Sequence, residues 1–246
     1  MHFLCNTTKS AHLAGLKFLL QSKKKPSHPE LLKEDFAVFE FSELQNDELL
    51  SITPSFWKEY NHYVSILFYD GIADDILELL KKNIFTKRAV FSFWKNKHNK
   101  PIIDVPCLIY ISFQYTENKL NMISHFREND AVKIFPINLS ILRCFHKLIC
   151  LNLGVSCGKY IHQIDSFHIY RKDTTEAMSK IHDIFKLGDF EAMISSFDMI
   201  QEMQSHISQN YETIPTGKNN TPLYKKIKQK KKPNIQILDY ETVNWI

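Results

Sequence analysis

The sequence predicts a single α+β domain, and three features of the chain support this fold class. Segments with strand character lie in the central part of the chain, and segments with helical periodicity precede and follow them. The chain has neither an internal repeat nor a segment with the composition of a linker, so we expect residues 1–246 to form one domain. Its 246 residues, of which 44% are hydrophobic, can bury a core without a disulfide or a metal.

The predicted helices are indicated by apolar residues at helical spacing and by charges or prolines at their ends. The segment 11–21 stops before a lysine cluster and Pro26. The segment 73–82 begins with aspartates and ends with lysines, the arrangement that the helix dipole favours. The other predicted helices are 57–69, 139–153, 174–187 and 190–209.

The predicted strands are short runs rich in aromatic and β-branched residues. They are 36–41, 88–94, 108–115, 119–126, 159–170 and 234–238. A polar turn separates 108–115 from 119–126, so these two strands are predicted to form a hairpin.

Charge and hydropathy exclude several classes of protein. The net charge of +4 is small, and lysines in 23–25 and 225–232 supply much of it, so no general nucleic-acid-binding surface is predicted. We expect 217–233 to be a basic surface segment. No apolar run reaches the roughly 18–20 residues of a membrane helix, and the first residues lack the order of a secretory signal.

The cysteines predict a compartment and exclude some kinds of site. Five cysteines without a CxxC pair indicate free thiols and a reducing, cytoplasmic environment. We expect no metal, because no two His or Cys residues show a paired ligand spacing. Cys144, Cys150 and Cys157 are predicted to pack in the core. Four histidines are predicted to be structural: His125, His146, His162 and His182.

The central stretch of the chain carries residues with the chemistry of a nucleotide site. Cys107 follows Pro106 at the start of a predicted strand, where its thiol would be held rigidly and partly exposed. Arg127, across the predicted hairpin, can lower the pKa of that thiol and bind an anion such as phosphate. The amide of Asn138 can read the edge of a planar amide-like ring.

A second pair of residues completes this pocket. His168 and Tyr170 lie two positions apart on a predicted strand, so they point the same way and can share a sugar hydroxyl. With Cys107, Arg127 and Asn138 they describe a nucleotide pocket with a covalent nucleophile.

Five short blocks then occur in a recognisable order and spacing. They are Lys87-Arg88, Pro106-Cys107, Arg127-x-x-Asp130, Pro136-x-Asn138 and His168-Ile-Tyr170. In this order the chain resembles thymidylate synthase and its pyrimidine hydroxymethylase relatives, especially the compact archaeal-type enzymes. The resemblance is clearest over 74–173. It implies a thymidylate synthase-like α+β domain in which a mixed, twisted sheet, flanked by helices, packs against its twin in a homodimer.

The resemblance implies a role for each matched residue in catalysis. Cys107 is the nucleophile that adds to C6 of the pyrimidine, after which C5 attacks the one-carbon unit of 5,10-methylenetetrahydrofolate, the co-substrate. Asp130 contacts the folate pterin. Glu59 is our candidate for the general acid/base glutamate.

The resemblance also assigns the substrate contacts. Arg127 binds the phosphate, Asn138 reads the base, and His168 with Tyr170 binds the sugar 3′-hydroxyl. Arg88, helped by Lys87, reaches across the dimer to the partner's phosphate site.

The chain departs from the family pattern at several of these places. Lys87 stands where a second arginine is usual, which removes bidentate geometry. Glu128 replaces the serine of the phosphate block and brings a carboxylate to an anion site. Ile134 replaces a glycine of the folate-facing loop, and the chain ends at Trp245-Ile246 without the tail that usually closes over folate.

These observations leave three functions open. The first is a cytoplasmic thymidylate synthase that converts dUMP to dTMP. The second is a 5-hydroxymethylase of dCMP, CMP or dUMP, in which water quenches the intermediate instead of hydride. The third is a non-catalytic nucleotide- or RNA-binding homologue that keeps the fold without turnover.

Overall fold

The chain folds around a six-stranded sheet in a computed structural model, which describes residues 1–42, 49–52, 56–99, 105–182 and 192–210. The strands are β1 (His2–Cys5), β2 (Leu31–Phe41), β3 (Leu49–Ile52), β4 (Val90–Ser92), β5 (Leu108–Thr116), β6 (Lys119–Asp130), β7 (Ser156–Tyr170) and β8 (Ala192–Ser195). The helices are α1 (Thr8–Gln21), α2 (Phe56–Val64), α3 (Ile72–Lys82), α4 (Phe135–Leu153), α5 (Thr174–His182) and α6 (Ser196–Asn210).

The sheet is mixed, with the strand order β1-β2-β7-β6-β5-β4. β1 pairs with β2 and β6 pairs with β7 in parallel, whereas the other neighbours in this sheet are antiparallel. β3 and β8 form a separate two-stranded sheet. The predicted α+β class is confirmed, and so is the predicted hairpin, which is β5–β6.

One face of the large sheet holds the core. Phe39 on β2 lies 4.6 Å, between ring centroids, from Phe135 of α4. A Cβ on Gly15 would come within 2.8 Å of the ring of Phe167, so the lack of a side chain at this position lets α1 approach the same face of the sheet. The other described helices contact α1 or α4. Along most of β6, buried side chains on this face alternate with half-buried ones on the other.

Helix α4 is the central helix of the core and begins earlier than predicted. The sequence predicted 139–153, but α4 starts at Phe135 with Pro136 in its first turn, where the missing N–H of proline costs no hydrogen bond. It ends at Leu153 and is capped by Gly154, whose φ of 66° is the left-handed conformation that glycine favours. Asn138 therefore lies in the first turn of a buried helix.

Short elements account for most of the differences from the predicted secondary structure. β1 and β3, each of four residues, were not predicted. β2 and β6 are longer than predicted, and β4 is shorter. The prediction of a helix from residue 190 was wrong over Ala192–Ser195, because this apolar run pairs with β3 as a strand. The predicted segments 217–233 and 234–238 lie outside the described residues.

None of the five cysteines is in a disulfide, and all except Cys107 are buried. His146, Cys150 and Cys157 form a buried cluster whose potential metal-ligating atoms lie within 4.8 Å of one another. The spacing of these residues in the sequence did not predict this cluster. Two of the three come from one turn of α4 and the third from β7, so the cluster depends on helix-to-sheet packing. No helix among the described residues is long and apolar enough to cross a membrane.

Two histidines, the half-buried His12 and the buried His162, make the stability of the fold depend on pH. Burial lowers the pKa of His162 to about 3, and desolvation together with the Lys180 charge lowers that of His12 to about 3. In an unfolded chain histidine takes up a proton near pH ~6.5. Between about pH 6.5 and 3 the unfolded state therefore binds more protons, and the folded state loses stability as the pH falls through this window.

We expect the substitution His162→Gln to weaken this pH dependence, because glutamine can donate and accept hydrogen bonds but does not titrate. Each neutral buried histidine contributes up to about 1.4 kcal/mol per pH unit to the unfolding free energy in the window. Urea unfolding at a series of pH values from about 6.5 to 5 measures the slope. His28→Gln, at an exposed histidine, is the control and should leave the slope unchanged. An equal slope in His162→Gln and the wild type would contradict the account.

Candidate active site

The pairing of three strands brings most of the candidate residues to one end of the sheet. Cys107 lies directly before β5, and its carbonyl accepts a hydrogen bond from Arg127 N on β6 at 2.9 Å. Asp130, at the end of β6, pairs with His168 near the end of β7. Because β5 is antiparallel and β7 parallel to β6, the start of β5 meets the ends of β6 and β7.

The Cys107 thiol is held between a carboxylate and a guanidinium. Its Sγ donates to Glu128 Oε1 at 3.6 Å, and Arg127 Nη2 lies 4.0 Å from the same sulfur. Cys107 is an exposed residue, but desolvation of its sulfur by the surrounding protein, and then the Glu128 carboxylate, raise the pKa of the thiol to about 11, against the lowering effect of Arg127. Arg127 lowers the pKa of this thiol, as the sequence predicted, but desolvation and Glu128 raise it by more, so the net shift is upward.

Arg127 is partly neutralised and partly unpaired. Its Nη2 forms an ion pair with Glu128 Oε1 at 2.5 Å, and its guanidinium carbon lies 6.0 Å from the ring centroid of Trp94. Its Nε is buried and has no hydrogen-bond partner in the described part of the chain. A buried donor without a partner is rare, and it marks a position that an oxygen of a ligand can fill.

Asn138 belongs to a buried chain of hydrogen bonds. The Tyr63 hydroxyl of α2 donates to its Oδ1 at 3.1 Å, and its Nδ2 donates to Asn129 Oδ1 on β6 at 3.3 Å. These contacts use one acceptor position and one N–H of the amide. The remaining N–H and lone pair are the pair that the O4 and N3–H of uracil require.

The series of hydrogen bonds continues from Asn129 to side chains of the sheet. Asn129 Nδ2 contacts His162 Nε2 at 3.2 Å, so this nitrogen is the acceptor and Nδ1 carries the proton of the neutral ring. His162 Nδ1 lies 2.7 Å from the Tyr160 hydroxyl, which lies 2.8 Å from Ser124 Oγ. The sequence predicted His162 to be structural, and its complete burial within this series of hydrogen bonds agrees with that prediction.

His168 and Tyr170 lie side by side, as their spacing on one strand predicted. Their rings meet edge to face with centroids 4.8 Å apart. His168 Nδ1 donates to the Ser166 carbonyl at 3.1 Å, which leaves Nε2 as an acceptor. This Nε2 is buried and without a partner among the described residues. It can therefore accept a hydrogen bond from a hydroxyl group of a ligand.

Asp130 and Glu59 border the same region. Asp130 Oδ1 accepts hydrogen bonds from Val132 N at 2.8 Å and Lys133 N at 3.3 Å, so this oxygen also holds the turn before α4. Burial raises the pKa of Asp130. Glu59 is half-buried on α2. Its charge raises the pKa of the Cys107 thiol, in addition to the larger effects of desolvation and Glu128. The structure thus brings Glu59 close enough to the thiol to act on it electrostatically.

Lys87 and Arg88 are not part of this group within one chain. Both are exposed in the loop between α3 and β4. No hydrogen bond or ion pair joins either side chain to the other candidate residues in the described ranges. Their predicted role across a dimer stays a prediction.

Sequence reasoning did not identify three neighbours of the candidate residues, namely Tyr63, Trp94 and Asn129. Period-two alternation could have placed Asn129 only if it continued along β6. Instead the burial pattern shifts by one position at Arg127 and Glu128, which are both half-buried. This shift brings Arg127 and Glu128 beside the same thiol and turns Asn129 into the core.

Comparison with known proteins places similar sequences in one family. A family model described as thymidylate synthase matches residues 6–246. The chain is 23% identical over 195 residues to the thymidylate synthase of Listeria monocytogenes serotype 4a (strain HCC23), covering 74% of this chain and 62% of that protein. A second relative is the thymidylate synthase of Listeria innocua serovar 6a, 23% identical over 78% of this chain and 65% of its own length.

An archaeal relative shows the same likeness over a shorter range. The chain is 28% identical over 131 residues to a putative thymidylate synthase of Methanococcoides burtonii, covering 52% of this chain and 58% of that protein. The chain thus spans less than two thirds of the length of each of these relatives. Since the family model covers nearly the whole sequence, the chain belongs to the thymidylate synthase family.

Proposed function

We propose that the protein transfers a one-carbon unit from 5,10-methylenetetrahydrofolate to C5 of a pyrimidine nucleotide, with dUMP as the leading substrate. The observation that carries the proposal is the convergence of Cys107, Arg127 and His168 at one end of the sheet, beside Asn138 at the start of α4. A nucleophile, a cation, an unpaired acceptor and a half-satisfied amide then surround one site.

The proposed reaction begins with the thiol. Deprotonated Cys107 adds to C6 of the ring, and the π electron pair of the C5–C6 double bond moves to C5, which attacks the one-carbon unit. The bond from that carbon to a folate nitrogen breaks, with its electron pair going to the nitrogen, and loss of the C5 proton later expels the Cys107 thiolate. The thiol of the resting site is protonated, since its pKa is raised to about 11. Addition therefore requires a base, and the half-buried Glu59 is our candidate to move this proton.

The substrate contacts follow from the unpaired groups. Arg127 Nε can donate to a phosphate oxygen, and His168 Nε2 can accept from a sugar hydroxyl, with the half-buried Tyr170 beside it. Asn138 presents one N–H and one lone pair to the base. Asp130 is the proposed contact to the pterin, through the carboxylate oxygen that does not hold the turn.

The assembly we propose is a homodimer in which the sheets of two chains pack face to face. The helices that pack against the sheet through Phe135, Gly15 and their neighbours lie on one face, and the opposite face of β6 carries half-buried side chains. Arg88 and Lys87, which form no hydrogen bond or ion pair with the other candidate residues in the described ranges, then reach the partner's phosphate site. The free thiols agree with the proposed cytoplasmic location.

Two alternatives are separated from this proposal by their products. Purified protein is incubated with dUMP, UMP, dCMP or CMP and with methylenetetrahydrofolate, and the products are assigned by mass. Methylated nucleotide with dihydrofolate supports the proposal. Hydroxymethylated nucleotide with tetrahydrofolate supports a hydroxymethylase. Nucleotide binding without product supports a non-catalytic homologue, the reading that the Glu128–Arg127 ion pair favours.

Cys107→Ser should abolish turnover and leave the fold and the nucleotide affinity nearly unchanged. A hydroxyl has a far higher pKa than a thiol and is a poor nucleophile at this position. Turnover is measured by product mass and affinity by calorimetry with the nucleotide alone. A variant that retained more than a few per cent of the wild-type rate would remove Cys107 from the mechanism.

Arg88→Ala should weaken nucleotide binding, and mixing it with Cys107→Ser should restore activity. One site of each mixed dimer then contains its own Cys107 and Arg88 from the other subunit. Activity is measured after subunit exchange, which is verified by native mass spectrometry. Exchange without recovery would contradict the cross-dimer role of Arg88.

Asn138→Asp should shift preference from uracil to cytosine nucleotides. The carboxylate still accepts from Tyr63, but it no longer supplies the N–H that uracil O4 needs, whereas the exocyclic amine of cytosine can donate to it. We expect the ratio of kcat/KM for dUMP to that for dCMP to fall by a factor that corresponds to about 1–3 kcal/mol of discrimination free energy. Equal ratios in the two proteins would show that Asn138 does not read the base.

A further inference from the structure

The Glu128 carboxylate occupies the part of the site where a ligand anion is expected. Its Oε1 binds Arg127 Nη2 at 2.5 Å and also accepts from Cys107 Sγ at 3.6 Å. One oxygen atom therefore contacts both the cation and the nucleophile. The shift of alternation in β6 makes this possible, because side chains of adjacent strand residues otherwise point to opposite faces.

The charges around the thiol show why this contact matters. The Arg127 charge lowers the pKa of the Cys107 thiol, and the carboxylates of Glu128 and Glu59 oppose it. The titratable and charged groups that face the thiol come from α2, β6 and β7: Glu59, Tyr63, Arg127, Glu128 and Tyr170. An incoming phosphate would meet an Arg127 that already holds the Glu128 carboxylate.

Glu128 has room to leave this position. About one third of its side chain is exposed, as is one third of that of Arg127, so rotation into solvent buries no charge. Without the carboxylate, Arg127 would present Nη2 together with the unpaired Nε, two donors in the fork geometry that binds phosphate oxygens. The same rotation removes the acceptor of the thiol hydrogen.

We propose that Glu128 is a specificity-determining internal anion, which competes with the phosphate of the substrate for Arg127 and holds the Cys107 thiol hydrogen until it is displaced. This inference rests on the proposed function only for the identity of the ligand, a nucleotide with a phosphate group. Its consequence is that phosphate affinity and thiol reactivity are set by one side chain. Removing the charge of Glu128 increases both.

The test compares the wild type with Glu128→Gln, which keeps the side-chain size and removes the charge, and with Glu128→Ser. The rate of Cys107 alkylation by iodoacetamide is followed by peptide mass spectrometry over a pH series, without nucleotide or folate. We expect alkylation near neutral pH to be about tenfold faster in both variants, since one unit of pKa changes the thiolate fraction about tenfold. Inorganic phosphate, titrated by calorimetry, should bind about tenfold more tightly to both.

Glu78→Gln, at an exposed glutamate on α3, is the control for a change of one charge and should alter neither quantity. Circular dichroism checks that each variant is folded. A wild-type alkylation profile in both variants, or unchanged phosphate affinity, overturns the proposal. Because neither measurement needs turnover, a wild type without product leaves the inference standing if the variants respond. An active wild type with unresponsive variants removes the inference alone.

Discussion

The pairing of β6 with β5 on one side and β7 on the other is the constraint on which the site depends. β6 is antiparallel to β5 and parallel to β7. The residue before β5 and the last residues of β6 and β7 therefore reach the same end of the sheet. Any slip by one residue would turn the side chains of one strand to the opposite face. The hydrogen bond from Arg127 N to the Cys107 carbonyl at 2.9 Å fixes this register where the chemistry is proposed.

The two ends of the proposed pocket differ in burial. At the base-reading end, Asn138 and Asn129 are buried and hydrogen-bonded, and loss of either would leave buried polar partners unsatisfied. At the other end, Arg127 and Glu128 are each about one third exposed. The base would therefore meet a preorganised amide, whereas the phosphate would meet an ion pair that has to open.

The sequence predicted the parts of this structure that depend on local pattern. Periodicity and turn chemistry indicated α3, α4 and the β5–β6 hairpin, and the order of the blocks around Cys107 indicated the family. The contribution of Glu128 to the thiol was not predictable, because it follows from a shift of side-chain alternation within β6. Long-range packing was not predictable either. Tyr63 reaches Asn138 only because α2 packs against α4.

The most direct measurement of the central claim is exchange of the C5 hydrogen of dUMP in D₂O, followed by proton NMR without folate. Addition of the Cys107 thiolate to C6 gives an enolate-like carbon at C5 that can take up a solvent deuteron, and reversal of the addition releases labelled dUMP. The account predicts loss of the H5 signal with the wild type and no loss with Cys107→Ser. Equal exchange in the two proteins, or none with a wild type that binds dUMP, would contradict it.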